Sequence, residues 1–221
     1  MKYPTLILIF FLLIHPFLNA QSSTSDQSGY PQTTAPTSAP APPDTAAVSA
    51  EPRKKDSEKG IQVGGGFMFA SKDIIINLAD AQDFSSLLAA LKKANLAETL
   101  QGKGTYTVFA PSNEAFAKIP SAQLDSLMTP KKESELTAIL TYHIISGKMG
   151  LKDIVRAIRK GNGEAMLKTV SGSQIRATIE NETMTLTDEN GHKAHVSRFD
   201  IEQNNGVLHV LDDVMMPKQK M

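Results

Sequence analysis

The chain contains neither cysteine nor tryptophan among its 221 residues, and only 6% of its residues are aromatic. The absence of cysteine excludes disulfides, thiolate nucleophiles and cysteine-ligated metal sites. The charge is balanced, with 23 basic and 23 acidic side chains, and the basic residues are spread along the sequence. The chain therefore lacks the basic stripe typical of nucleic-acid binding, and its stability must come from packing.

The first 20 residues have the pattern of a secretory signal peptide. Lys2 precedes an apolar run at residues 5–14, and Ala20 is a small residue of the kind found at a cleavage site. The run has about half of the roughly 20 apolar residues that a transmembrane helix needs. We expect a secreted chain that is periplasmic or exposed at the cell surface, with an uncleaved N-terminal anchor as the alternative.

Residues 21–66 have the composition of a disordered linker. Ser, Thr, Pro and Ala dominate residues 21–50, which cannot bury enough apolar surface to fold, and residues 51–60 carry mixed charge. The glycines at 64–66 favour a hinge over a phosphate loop, because no Lys-Ser/Thr pair follows them. The linker is interpreted either as a stalk that holds a domain away from a surface or as an inert spacer.

Residues 67–221 have the composition of a folded domain, and their helical patterns come first. Apolar residues at helical spacing predict three helices, one starting near residue 84, one from Thr129-Pro130 to Gly147, and one over residues 151–161. The apolar positions are Phe84, Leu87, Leu88 and Leu91; Leu136, Ile139, Leu140, His143 and Ile144; and Leu151, Ile154, Val155 and Ile158.

Strand patterns follow the helices. Ile175, Ala177 and Ile179 alternate with polar residues, and Asn190-Gly191 is a strong hairpin signal. The apolar run that begins at Gly206 and contains His209 indicates a strand that is covered on both faces. Helices early and strands late predict an α+β domain.

The stretch "TYTVFAPSNEAFAKIP" at residues 105–120 predicts a strand that turns sharply into a helix. Ser112 follows the strand, but the flanking glycines of a nucleophile elbow are missing. Ser112 or Asn113 is instead suited to cap the helix. The corner is therefore interpreted as structural.

A search for reactive groups gives no catalytic set, and no enzymatic activity, metal or cofactor is expected. His192 and His195 are three apart on a predicted strand and point to opposite faces, which disfavours chelation of one ion. Asp212 and Asp213 also point to opposite faces, and His209 suits a hydrogen-bonded core position. A hydrolase is an alternative only if a base lies within hydrogen-bond reach of Ser112.

Three blocks of the sequence resemble the fasciclin domain family, and small bacterial single-domain members in particular. The stretch at 105–120 is similar to the first signature block, and "NNGVLHVLDDVMMP" at 204–217 is similar to the second. Between them, residues 136–149 contain the Tyr-His pair of the family at Tyr142 and His143. The structural positions of the two signatures are Phe109, Pro111, Asn113, Phe116, Gly206 and His209.

This resemblance implies a wedge of β-strands with helices packed around it, and a binding module for cell adhesion or for contact with matrix or envelope. The implied partner is a cell-surface or matrix protein or a glycan, and the implied binding residues are Tyr142 and His143. His143 continues an apolar stripe and also suits a structural role, whereas Tyr142 lies off the stripe and is expected to be more exposed. The alternative function is a periplasmic module that binds a small molecule, a glycan or a lipid.

Overall fold

The computed structural model describes residues 59–218, so the predicted signal peptide and residues 21–58 of the predicted linker lie outside the described residues. The described part begins with a hairpin in which β1 (Ile61–Val63) pairs with β2 (Gly66–Met68). Gly64 and Gly65 have φ values of +60° and +78°, so the glycines form a tight turn and not the hinge expected from the sequence. Val63 and Met68 are buried in the core. The folded part therefore begins before residue 67.

The first helices form a cluster of short segments, α1 (Ile74–Asp80), α2 (Ser85–Lys93) and α3 (Leu96–Gln101), with a 3₁₀ turn at Gln82–Phe84. The apolar stripe that begins at Phe84 is buried as predicted, except that Leu88 is only partly buried. Asn95 separates α2 from α3 because its φ of 55° is left-handed. Within residues 59–218 no single helix is long and apolar enough to cross a membrane; α1 and Gln82–Lys93 pass that test only as a pair bent by 116°.

Four further helices are α4 (Asn113–Ala117), α5 (Ser121–Leu127), α6 (Glu133–Tyr142) and α7 (Leu151–Lys160). A 3₁₀ turn at Pro130–Lys132 leads into α6, at the predicted entry. The predicted exit of this helix at Gly147 is wrong. The helix ends at Tyr142 because the next residues form a short strand, β4 (Ile144–Ser146), whose β-branched isoleucines pair with the preceding strand.

The remaining strands join β4 in a seven-stranded, nearly closed sheet of order β4-β3-β9-β8-β7-β6-β5. All neighbours are antiparallel except β3 and β9, which are parallel. Val170 N donates to Ile144 O at 2.8 Å, which links the two ends of the sheet. The strands are β3 (Tyr106–Pro111), β5 (Glu164–Lys168), β6 (Gln174–Glu180), β7 (Thr183–Thr187), β8 (Lys193–Gln203) and β9 (Gly206–Leu211).

Two apolar clusters lie on opposite faces of the central strands. Leu208 and Val210 of β9 pack in the first cluster, with α1 to α6, whereas Leu211 and Phe109 pack in the second, with α7 and the strands β5 to β8. Every residue of β9 is buried as a result. This explains why its sequence is an unbroken apolar run, as expected for a strand covered on both faces.

Candidate functional site

Tyr142, which ends α6, is completely buried in the second apolar cluster. Its hydroxyl donates to Gln174 O at 2.9 Å and accepts from Glu189 N at 3.2 Å. Desolvation by burial raises the pKa of Tyr142 to about 12. The expectation that this side chain is more exposed is therefore wrong, and Tyr142 instead ties α6 to the starts of β6 and of the β7–β8 turn.

His143, the next residue, is also buried, with 2% of its surface exposed. Its Nδ1 lies 2.8 Å from Ile139 O, and its Nε2 accepts from Met215 N at 3.0 Å. These partners require a neutral ring with the proton on Nδ1. Burial lowers the pKa of His143 to about 4, so the ring is neutral at physiological pH and fixes the segment that follows β9.

The segment at residues 213–218 lies outside the sheet and has neither helix nor strand, and we term it the C-terminal strap. Within residues 59–218 the strap pairs with no strand, and its N–H groups are bonded to side chains instead. The N–H groups of Val214, Met215, Met216 and Lys218 donate to Asp213 Oδ1, His143 Nε2, Asp188 Oδ2 and Glu189 Oε2, respectively, at 2.8–3.0 Å. Each non-proline N–H group from residue 214 to 218 thus has a side-chain acceptor.

Asp188 links this strap to the hairpin between β7 and β8. It is 5% exposed, and its Oδ1 accepts from Asn190 N and His192 N at 2.9 Å each, while its Oδ2 accepts from Met216 N. Asn190 adds a bond from its Nδ2 to Met216 O at 2.9 Å. The Asn190-Gly191 turn predicted from the sequence therefore also anchors the strap.

Between α6 and the strap runs an open groove of about 1020 Å³, which we term the α6–strap groove. Lys132, Ser134 and Glu135 lie on the α6 side, and Met216 and Lys218 lie on the strap side. Ile139 and His143 connect the groove to the interior, since Ile139 lines it and its carbonyl oxygen contacts the His143 ring. Tyr142 and His143 are thus behind the groove and not on its surface.

The corner at 105–120 is held together by hydrogen bonds. Ser112 Oγ accepts from Ala115 N at 3.2 Å and caps α4. Asn113 crosslinks the corner to the start of α2, because it accepts from Ser86 N and donates to Gln82 O and Ser85 Oγ at 2.9–3.0 Å. Phe109, Pro111 and Phe116 are also buried, with Phe109 in the second apolar cluster and Phe116 in the first. The hydroxyl required by the hydrolase alternative is therefore engaged as a helix cap.

The second signature block places Gly206 and His209 on β9. A side chain at Gly206 would overlap the carbonyl oxygen of Tyr106 on the parallel strand β3, so only glycine fits. His209 is fully buried. Its Nδ1 accepts from Asp200 N at 3.3 Å, and its Nε2 lies 2.9 Å from Met149 O. It therefore joins β9 to the bulged part of β8 and to the loop before α7.

The exposed histidines pair with the acidic residues at the end of β9. His195 Nδ1 lies 3.0 Å from Asp212 Oδ2, and His192 Nε2 lies 3.7 Å from Asp213 Oδ2, which Lys118 also contacts at 3.1 Å. In the part of the chain that the structure describes, no three His, Asp or Glu side chains are grouped as metal ligands would be.

Comparison with known proteins identifies the family. The family model described as "Fasciclin domain" matches residues 82–217. The chain belongs to the fasciclin domain family. The structure also resembles a fasciclin domain pair from the insect cell adhesion molecule Fasciclin I, with a TM-score of 0.58 and 19% identity, over 73% of this chain and 58% of that chain. This likeness shows the shared fold.

Relatives of this fasciclin domain occur in bacteria and animals. Protein sll1483 of Synechocystis is 34% identical over 165 residues, which cover 73% of this chain and 82% of that protein. Human periostin is 36% identical over 135 residues, which cover 61% of this chain but only 15% of periostin. The similarity to periostin is thus confined to a small part of that protein.

Sequence reasoning missed the residues that clamp the strap. Asp188 and Glu189 precede the turn at Asn190-Gly191, and they accept from Met216 N and Lys218 N, which are 28 and 29 residues away. The sequence shows these polar residues beside a turn, but their pairing with a distant segment leaves no periodic pattern that a reader of the sequence could detect. The groove likewise brings together α6 and the strap, which are distant in the sequence.

Proposed function

We propose that this chain is an exported fasciclin domain on a linker, which mediates adhesion or contact with extracellular matrix or envelope. The first 20 residues have the pattern of a signal peptide, and the chain belongs to the fasciclin domain family. A structure of similar fold is described as part of a cell adhesion molecule. The partner is a cell-surface or matrix protein or a glycan.

The observation that carries this proposal is the α6–strap groove, with its volume of about 1020 Å³. Tyr142 and His143 contribute to binding from behind its walls. His143 holds Met215 of the strap, and Tyr142 holds the backbone of Glu189, whose side chain accepts from Lys218 N. A substitution of either residue is therefore expected to weaken binding by moving the walls, without removing a direct contact.

The groove also supports a second candidate, a periplasmic module that binds a small molecule, a glycan or a lipid. Its volume is slightly above the roughly 300–1000 Å³ typical of small-ligand sites. The two candidates differ in location, since adhesion needs the domain outside the cell. In both, the role is binding and not catalysis, consistent with the capping role of Ser112.

Attachment of intact cells of the source organism to beads coated with the exported chain tests the proposal. Beads with the wild-type chain should retain cells above the level of bare beads. Ser134→Trp should reduce retention because the bulky ring fills the α6 side of the groove. Ser121→Trp is the matched control, since Ser121 is also an exposed serine in the first turn of a short helix but does not line the groove.

Two results would contradict the proposal. Wild-type beads that retain no more cells than bare beads would exclude adhesion to these cells. Equal retention by wild type and Ser134→Trp, with both variants folded, would exclude the groove as the contact surface.

A further inference from the structure

The side chains of the α6–strap groove have the chemistry of a site for a polyhydroxylated ligand. Hydroxyl groups come from Ser134, Ser171 and Ser173, and side-chain amides come from Gln123 and Asn190. Hydroxyl and amide groups both donate and accept hydrogen bonds. The hydroxyl groups of a sugar do the same. Ser173 Oγ donates to Glu189 Oε2 and Asn190 Nδ2 donates to Met216 O, but the serine hydroxyl can still accept a hydrogen bond and the amide can still donate and accept.

The charges around the groove are balanced. On the α6 side, Lys132 Nζ lies 2.6 Å from Glu135 Oε2. On the strap side, Lys218 is accompanied by Glu189, whose Oε2 accepts from Lys218 N at 3.0 Å and from Ser173 Oγ at 3.2 Å. The lining thus carries two lysines and Glu135, and the Glu189 carboxylate lies beside it, within hydrogen-bond distance of Ser173. This balance favours a ligand without net charge, because a charged ligand would meet attraction and repulsion together.

The groove also offers apolar contact. The groove is also lined by Ala138 and Ile139 of α6 and by Met216 and Pro217 of the strap. A pyranose ring has C–H groups on its faces and hydroxyls around its edge. This mixture of apolar and hydroxyl-bearing side chains suits such a ring better than it suits a lipid chain, which needs a continuous apolar surface.

The hydrogen bonds of the strap argue against an added peptide strand. Strand addition requires free backbone N–H and C=O groups on an exposed edge. The N–H groups of Val214, Met215, Met216 and Lys218 are already donated to side chains, and Pro217 has none. Met216 O accepts from Asn190 Nδ2. The wall is therefore fixed before a ligand binds, which lowers the entropy cost of binding.

We propose that the α6–strap groove binds a segment of a neutral oligosaccharide. Sugar hydroxyls bond to the serine and amide side chains, and the C–H faces of the rings pack on Met216 and Pro217. The inference rests on the proposed function as a binding module, and it names the ligand class and the site.

Titration of the ¹⁵N-labelled exported chain with cellotetraose, chitotetraose and maltotetraose, followed by NMR, tests this inference. At least one of these neutral probes should give saturable shifts of the backbone amides of Ser134, Ala138, Ser171 and Asn190. Ser134→Trp should weaken binding of that probe at least about tenfold, equivalent to about 1.4 kcal/mol. Ser121→Trp should leave the affinity within about twofold of wild type, which is below that threshold.

A tetragalacturonate and a Ser/Asn/Gly tetrapeptide serve as comparison probes. Binding of either one in the groove, with no binding of the three neutral sugars, would overturn the inference in favour of an acidic glycan or a peptide. Sugar binding that is the same in Ser134→Trp and wild type would also overturn it. Cell retention by coated beads without sugar binding would overturn the glycan ligand alone, whereas sugar binding without cell retention would overturn adhesion alone.

Discussion

Removal of the Tyr142 hydroxyl is the sharpest test of whether this buried, hydrogen-bonded side chain stabilises the site. Tyr142→Phe keeps the ring in the second apolar cluster and deletes a group that makes two hydrogen bonds, at 2.9 and 3.2 Å. Each such bond contributes a net of about 0.5–1.5 kcal/mol. The free energy of unfolding should therefore fall by about 1–3 kcal/mol.

Tyr106→Phe is a matched control within the same domain. The Tyr106 hydroxyl makes one long contact, at 3.4 Å to Thr99 O, in an exposed position. Its removal should change the free energy of unfolding by no more than about 0.5 kcal/mol, as is usual for surface sites. The two substitutions delete the same atom, so they differ only in burial and in hydrogen bonding.

Urea unfolding followed by far-ultraviolet circular dichroism measures both effects, and the method suits a chain without tryptophan. The midpoint should drop in Tyr142→Phe at an unchanged slope. Equal midpoints for Tyr142→Phe and Tyr106→Phe would refute the reasoning. That result would mean that the Tyr142 hydroxyl is not committed to Gln174 and Glu189.

Three further predictions concern the rest of the site. Acid should destabilise the domain between about pH 6.5 and pH 4, because burial lowers the pKa of His143 to about 4 and also lowers that of His209, so the unfolded chain binds these protons first. For His143, the free energy of unfolding should fall by up to about 1.4 kcal/mol per pH unit. A free energy of unfolding that stays level from about pH 7 to pH 5 would contradict the conclusion that the two histidine rings are buried in the neutral form. Asp188→Ala should leave three backbone N–H groups without their acceptor and lower the free energy of unfolding by about 1–3 kcal/mol. Relative to wild type, amide hydrogen exchange should become faster at Met216 than at core amides of β9. Unchanged exchange at Met216 would argue that Asp188 does not hold the strap. Gly206→Ala should lower the free energy of unfolding by more than about 3 kcal/mol, because the added Cβ overlaps Tyr106 O. Gly172→Ala is the control: its Cβ meets open space but its φ is +86°, so the loss should be only about 1–2 kcal/mol. Comparable thermal midpoints for the two variants would contradict the close approach of β3 and β9.

Much of the fold could be predicted from the sequence because local patterns carry it. The stripe from Phe84 to Leu91, the turn at Asn190-Gly191 and the apolar run of β9 all lie where the patterns indicate. The end of α6 could not be predicted in the same way. Ile144 continues the helical spacing of α6, but its pairing with Val108 on β3 places it in a strand.

The burial of Tyr142 could not be predicted from a single stripe, because the end of α6 lies between two apolar clusters. Leu136, Ile139 and Leu140 pack in the first cluster, and Tyr142 packs in the second. One helix therefore buries two faces, and a residue off the main stripe is as buried as one on it. The strap and its side-chain acceptors are likewise visible only once the chain is folded.

The location of the domain is the most direct test of its proposed role as an exported adhesion module. The measurement is protease accessibility of the tagged chain on intact cells of the source organism, with a known periplasmic protein as control. The account predicts cleavage within residues 21–60 while the control survives, which would place the domain outside the cell. Protection until the outer membrane is opened would contradict adhesion and would favour a periplasmic ligand for the α6–strap groove.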